Sequence, residues 1–115
     1  MKILENCFTL ASKITIYVPA TTHVDHAINN TAEVKATAEL LATLFGGATS
    51  SAALGYWKSA NAGLVKEKTT LVFAYCKEQD LENGIDQVVA HCNQLKTSMD
   101  QEAIALEVNG TMYFV

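Results

Sequence analysis

Two neighbouring segments carry the side chains best suited to hold a small ligand. Tyr56, Trp57 and Lys58 follow one another, and Lys66 and Lys68 are two residues apart, which puts both lysines on one side of an extended strand. An aromatic surface beside ammonium groups can bind a planar anionic ligand such as a nucleotide. The alternative is a tryptophan packed at a sheet edge, with lysines that discourage pairing to other chains. The ligand-binding set that we predict is Tyr17, Tyr56, Trp57, Lys58, Lys66, Lys68 and Thr70.

A second cluster, His23, Asp25 and His26, lies in a polar stretch after an apolar run. Two imidazoles and a carboxylate can hold a metal ion or transfer protons. Their spacing matches no specific metal signature, and the simpler interpretation is a polar loop in which Asp25 caps the following turn. We therefore predict no bound metal, no cofactor and no catalytic set, and keep this cluster as an alternative acid-base site.

The charge balance excludes one class of partner. Eight of the 115 residues are Lys, none is Arg, and twelve are Asp or Glu, which gives a formal net charge of −4. Binding to duplex nucleic acid needs a basic surface, and Arg is the commonest reader of base edges. We therefore predict no duplex nucleic acid partner. The acidity is concentrated in residues 77–102, a segment that can be a docking face for a host protein or simply a solvated helix face.

The cysteines and the apolar runs indicate where the protein works. Cys7, Cys76 and Cys92 form an odd set without CxxC spacing, which disfavours both a disulfide framework and a zinc site. We expect Cys76 and Cys92 to be small core residues in a reducing compartment. No apolar run approaches the roughly 20 residues of a membrane-spanning helix, and Glu5 and Asn6 interrupt any signal-peptide core. We therefore expect a cytoplasmic protein without a membrane partner.

Hydrophobic periodicity predicts the elements that must position these groups. Alternation over 14–18 predicts a strand that Pro19 ends, and Asn30 with Glu33 can cap a helix that is terminated by Gly46 and Gly47. Gly84 costs a helix about 1 kcal/mol relative to Ala, so the second helix is expected to begin near it. The other predicted elements are strands over 50–57 and 64–76, a helix over about 81–99, and strands over 103–108 and 111–115 around an Asn109-Gly110 turn.

This order predicts an α+β, ferredoxin-like βαββαβ sandwich, with two helices on one face of an antiparallel sheet and an extra C-terminal strand. We expect one domain over 1–115, with a core of about 13–115 and an N-terminal tail over 1–12. Leu71, Phe73 and Tyr75 are expected to face the helices, which leaves Thr70, Val72, Ala74 and Cys76 on the open face. Because that face has few charges, we predict a homodimer or higher oligomer that covers it, with a bound ligand or the chain termini as alternatives.

Several stretches are similar to small uncharacterised proteins encoded on phages and other bacterial mobile elements. Small single-domain proteins of this kind often act by binding, for instance by sequestering a defence signal or blocking a defence protein. The resemblance therefore implies a phage or mobile-element accessory role, such as counter-defence, and brings no catalytic residue with it. The stretches that carry it are residues 14–19, 44–49, 55–57, 66–69 and 101–107.

The leading hypothesis is a non-catalytic binding module that sequesters a small anionic ligand, possibly a nucleotide signal, or blocks a partner protein. The alternative is a small enzyme of the dimeric α/β-barrel type, with the open sheet face as its active site and His23, Asp25 or His26 as acid-base groups. A third hypothesis is an inhibitor that binds a host protein through the acidic helix.

Overall fold

The computed structural model describes residues 1–22 and 26–115. After a short 3-10 turn at Lys2–Leu4, the chain forms two helices and seven strands in the described part. The helices are α1 (Thr31–Phe45) and α2 (Glu78–Ser98). The strands are β1 (Ser12–Pro19), β2 (Thr21–Thr22), β3 (His26–Ala27), β4 (Thr49–Ser59), β5 (Gly63–Cys76), β6 (Ala105–Val108) and β7 (Thr111–Phe114).

The main sheet has five strands in the order β4-β5-β1-β6-β7, and every neighbouring pair is antiparallel. The predicted α+β architecture, with two helices and an antiparallel sheet, is confirmed. The element order is longer than a simple βαββαβ, because β2 and β3 form a small separate sheet and β7 extends the far edge. The ferredoxin-like topology therefore stays a prediction.

The core lies between the sheet and the two helices. Ile14, Ile16 and Val18 of β1 are fully buried there, together with Leu41 of α1 and Val88 of α2. Burying an aliphatic side chain contributes about 1.5–3 kcal/mol relative to leaving it exposed, so this layer supplies the main stabilisation of the fold.

The prediction for the two faces of β5 was wrong. Val72 and Ala74 are buried under the helices, whereas Phe73 is half-buried and Tyr75 is exposed on the opposite face. Both rows of this strand are apolar, so the alternation alone did not distinguish them. α1 packs against β5, and the smaller row allows that close approach.

The ends of both helices differ from the prediction in one detail each. α1 begins where expected, but the Asn30 side chain donates to the carbonyl of Val18 and to Thr70 instead of capping the helix. α2 begins at Glu78, well before Gly84. A Cβ at Gly84 would lie 3.2 Å from the ring of Phe45, so this glycine allows the two helices to pack closely.

A polar contact joins the two helices. Thr37 of α1 is fully buried, and its hydroxyl donates to the carbonyl of Glu33 at 2.7 Å. The same hydroxyl lies 2.7 Å from Nε2 of His91 on α2, so the imidazole N–H can donate to it. His91 is therefore partly buried at the contact between the helices. Burial lowers the pKa of His91 from its usual range.

The chain ends lie beside the sheet. The residues over 1–11 are all exposed, and Lys77 lies 5.8 Å from the ring of Phe8, near the start of α2. At the other end of the chain, β7 continues the sheet as its edge strand, after a turn in which Asn109 and Gly110 both have positive φ. No helix in the described part of the chain is long and apolar enough to cross a membrane.

Candidate functional site

The sheet face opposite the helices, which we call the open face, is apolar and aromatic along its centre. Tyr17 of β1 pairs with Leu71 of β5, and Lys13 pairs with Tyr75. The Lys13 ammonium lies 4.8 Å from the ring centroid of Phe73 and 5.6 Å from that of Tyr75. Cation-π contacts of this kind let the long lysine side chain lie along the apolar surface.

A cavity of about 440 Å³ opens on this face where β1 leaves the sheet. β5 continues past the end of β1, so the side chains of β4 and β5 form one wall, and the chain after α2 forms the other. Its size lies within the range of small-molecule sites. The residues lining it are Tyr17, Pro19, Thr21, Ala53, Leu54, Gly55, Glu67, Lys68, Thr69, Leu71, Gln101, Ala103, Ile104 and Ala105.

Three of the lining residues give the cavity its chemical character. Tyr17 is a half-buried aromatic ring that can stack on a planar base. Gln101 donates from its amide nitrogen to the carbonyls of Thr21 at 2.9 Å and Met99 at 3.1 Å, which directs its carbonyl oxygen to accept from another donor. Glu67 is half-buried and supplies a carboxylate. The lining therefore combines apolar walls, an amide acceptor and a negative charge.

The structure brings together only part of the predicted ligand-binding set. Tyr17 lines the cavity from the open face, whereas Lys68 borders it although its register with Leu54 puts its side chain on the helix side. Tyr56 pairs with Lys66, so both lie on the side of the sheet that carries the helices, whereas Trp57 points to the open face. Tyr56, Trp57 and Lys66, together with Lys58, belong to the part of the β4–β5 hairpin that extends beyond the cavity. Thr70 lies on the helix side and accepts from Asn30. Binding by this set stays a prediction.

Glu67, Leu71 and Gln101 are cavity residues that the sequence did not single out. Glu67 alternates with the two lysines beside it, so strand periodicity alone puts it on the other face. Leu71 was missed because the faces of β5 were reversed. Gln101 follows a helix without any local pattern, and only the tertiary fold carries it to the end of β1.

The acid-base alternative lies largely outside the described residues. This is the case for His23 and Asp25, while His26 belongs to β3, so the role of that cluster stays a prediction. The prediction that Cys76 and Cys92 are core residues is confirmed, since both are buried. Burial raises the pKa of the Cys92 thiol to about 11 and also raises that of Cys76, so both remain protonated thiols at neutral pH.

The fold is similar to that of solved phage proteins. A phage SAM lyase in complex with S-methyl-5'-thioadenosine matches with a TM-score of 0.65 and 17% sequence identity, over 97% of this chain and 94% of that chain. A phage SAM lyase in the apo state matches with a TM-score of 0.60 and 16% identity, over 91% and 88% of the two chains. No protein-family model matches the chain, and no curated protein matches it. At these identities the likeness shows a shared fold.

Proposed function

We propose that the protein binds S-adenosylmethionine in the cavity at the end of β1 and cleaves the bond between its sulfur and its amino-acid arm. The observation that carries the proposal is the lining of that cavity, which joins apolar walls to the carboxylate of Glu67. The shared fold supports the choice of ligand, because two solved phage proteins of similar fold are SAM lyases and one of them is in complex with S-methyl-5'-thioadenosine.

The ligand has two parts that match the two kinds of wall. Its adenosine is planar and largely apolar, which suits Tyr17 and Leu71, and its exocyclic amino group is a donor for the carbonyl oxygen of Gln101. Its amino-acid arm carries an ammonium group, which suits Glu67. The anionic ligand that the sequence predicted is replaced here by a zwitterion with an additional sulfonium charge.

The cleavage needs no group that the cavity lacks. The carboxylate oxygen of the ligand attacks the arm carbon bonded to sulfur, and a C–O bond forms as the C–S bond breaks. The electron pair of the broken bond stays on sulfur, which loses its positive charge. The products are methylthioadenosine and homoserine lactone, and no proton is transferred. The contribution of the protein is to fold the arm and to exclude water, so that the internal attack is favoured over hydrolysis.

This chemistry determines which cationic group Glu67 contacts. The sulfonium loses its charge during the reaction, so a carboxylate against it would stabilise the substrate more than the transition state. The ammonium keeps its charge throughout, and a carboxylate there holds the arm without opposing cleavage. We therefore assign Glu67 to the ammonium.

A protein that consumes S-adenosylmethionine would deprive methyltransferases of their methyl donor. Such a role suits a phage accessory or counter-defence protein, which the resemblance of the chain to phage-encoded proteins also favours. The proposal thus keeps the setting inferred from the sequence and replaces the non-catalytic module with its enzymatic alternative on the open face.

The test is to incubate the purified protein with S-adenosylmethionine and to follow the products by mass spectrometry. We expect methylthioadenosine and homoserine lactone in equal amounts, and homoserine would indicate hydrolysis instead. Leu71→Lys, which fills the cavity with a charged chain, should abolish product, whereas Tyr75→Lys, on the same face of the same strand, should retain it. Recovery of intact S-adenosylmethionine from a protein that binds it would contradict cleavage and leave a sequestering module.

A further inference from the structure

The β4–β5 hairpin extends beyond the rest of the sheet. β1 pairs with β5 only from Thr69 to Cys76, whereas β4 pairs with β5 along its whole length to Gly63. Residues 54–68 therefore form a two-stranded ribbon, which we call the arm, and the molecule measures 52 × 29 × 21 Å. An isolated two-stranded ribbon is marginally stable in water, so an arm of this length gains from packing against another surface.

One face of the arm combines apolar and cationic side chains. The pairs across the two strands are Leu54 with Lys68, Tyr56 with Lys66, and Lys58 with Leu64, and all six side chains share the helix side of the sheet. The three apolar side chains are exposed by 49%, 58% and 69% in the order Leu54, Tyr56 and Leu64. This surface favours a partner that offers an apolar floor together with carboxylates.

A surface of that description lies at the opposite edge of the same molecule. A groove of about 330 Å³ runs between α2 and β7, and its walls are apolar. On α2, Glu78 and Glu82 precede the groove residues Ile85 and Val89 at helical spacings. Both exposed carboxylates therefore lie on the side of α2 that borders the groove. The groove is lined by Ile85, Val89, Leu106, Val108, Tyr113, Phe114 and Val115.

We propose that the arm of one copy docks in the α2–β7 groove of a second copy. The arm and the groove lie at opposite ends of the strand order β4-β5-β1-β6-β7, so a molecule cannot fill its own groove with its own arm. The apolar side chains of the arm cover the groove, and its lysines approach Glu78 and Glu82. This contact joins two different surfaces, so copies associate head to tail. The docking side chains lie on the helix side of the sheet, opposite the open face on which Glu67 and the proposed reaction lie.

Charge reversal on each side provides the test. In an arm variant, Lys58→Glu and Lys66→Glu are combined, and in a groove variant, Glu78→Lys and Glu82→Lys. Each variant alone places like charges across the contact, so we expect the dissociation constant of the oligomer to rise by at least about tenfold. A one-to-one mixture restores opposite charges at both kinds of contact, and we expect it to reassociate into an assembly larger than either variant forms alone, measured as mass by light scattering.

Reversal of exposed charges elsewhere is the matched control, and Lys35→Glu with Glu39→Lys on α1 should leave the mass unchanged. Circular dichroism of every variant establishes that the fold is intact. A wild-type protein that stays monomeric at high concentration would overturn the proposal. It would equally be overturned by folded variants that keep the wild-type mass, or by a mixture that fails to reassociate.

Discussion

The carboxylate of Glu67 allows the cavity to be tested with one small change. Glu67→Gln keeps the size of the side chain and removes its charge. Two unit charges about 4 Å apart attract by roughly 4 kcal/mol at an effective dielectric constant of 20, and a hydrogen bond to a charged group contributes about 1.5–3 kcal/mol. Because Glu67 is only half-buried, we expect the lower end of that range, about 2 kcal/mol, or a roughly 30-fold weaker Kd.

The assay is titration calorimetry with three ligands that differ in charge. S-adenosylmethionine carries both the sulfonium and the ammonium, S-adenosylhomocysteine carries only the ammonium, and methylthioadenosine carries neither. If Glu67 binds the ammonium, Glu67→Gln weakens the first two ligands to a similar extent and leaves the third unchanged. S-adenosylhomocysteine lacks the sulfonium leaving group and methylthioadenosine lacks the amino-acid arm, so neither is cleaved and the comparison between these two measures binding alone.

The matched control is Glu107→Gln. Glu107 is a half-buried glutamate on the same sheet face, and it accepts from the backbone N–H of Gly110 at 3.2 Å instead of lining the cavity. We expect its substitution to leave all three affinities unchanged. The reasoning would be refuted by an equal loss for all three ligands, or by a loss from Glu107→Gln as large as that from Glu67→Gln. A loss for S-adenosylmethionine alone would move Glu67 to the sulfonium.

Three further predictions concern the fold. Iodoacetamide at neutral pH should modify the exposed Cys7 and spare Cys92, because burial raises the pKa of the Cys92 thiol to about 11. Peptide mapping of the native protein by mass spectrometry would contradict this if it showed rapid labelling of Cys92. Burial lowers the pKa of His91 in the folded state, so its contribution to the free energy of unfolding should be constant above the unfolded pKa of about 6.5 and should fall as the pH drops below that value. Urea titrations at several pH values should show that the free energy of unfolding falls less steeply with decreasing pH for His91→Gln than for the wild type. An equal pH dependence in the two proteins would contradict the assignment. Val72→Asp should destabilise the protein by about 3 kcal/mol or more, because it buries an unpaired charge. Tyr75→Asp, on the exposed face of the same strand, should destabilise it by about 1 kcal/mol or less. Equal urea midpoints for the two variants would show that the faces of β5 are misassigned.

The sequence predicted the elements well where one physical signal dominated. Apolar and polar residues alternate cleanly in β1, and Gly46 takes the left-handed conformation that ends α1. The turn at Asn109 and Gly110 needs positive φ at both residues, which these two residue types adopt most easily. In each case the signal is local, so no knowledge of the packing was needed.

The sequence failed where packing between elements decided the outcome. Gly84 lies inside α2 at a point where a Cβ would come within 3.2 Å of the Phe45 ring of the other helix, and helix propensity alone cannot register that neighbour. The same holds for β5, where the size of Leu71 and Phe73 suggested the core although the smaller Val72 and Ala74 are the residues buried under the helices. The cavity combines residues from β1, β5 and the segment after α2, so its composition became visible only in three dimensions.

The central claim is that a ligand of the methylthioadenosine type binds on the open face at the end of β1. An NMR titration of the isotope-labelled protein with methylthioadenosine tests it most directly, because this ligand is not consumed. We predict that the backbone amide signals of Tyr17, Leu71 and Gln101 shift with a common dissociation constant, while that of Val88, under the sheet, does not. Absence of any shift, or shifts confined to the helix side, would contradict the account.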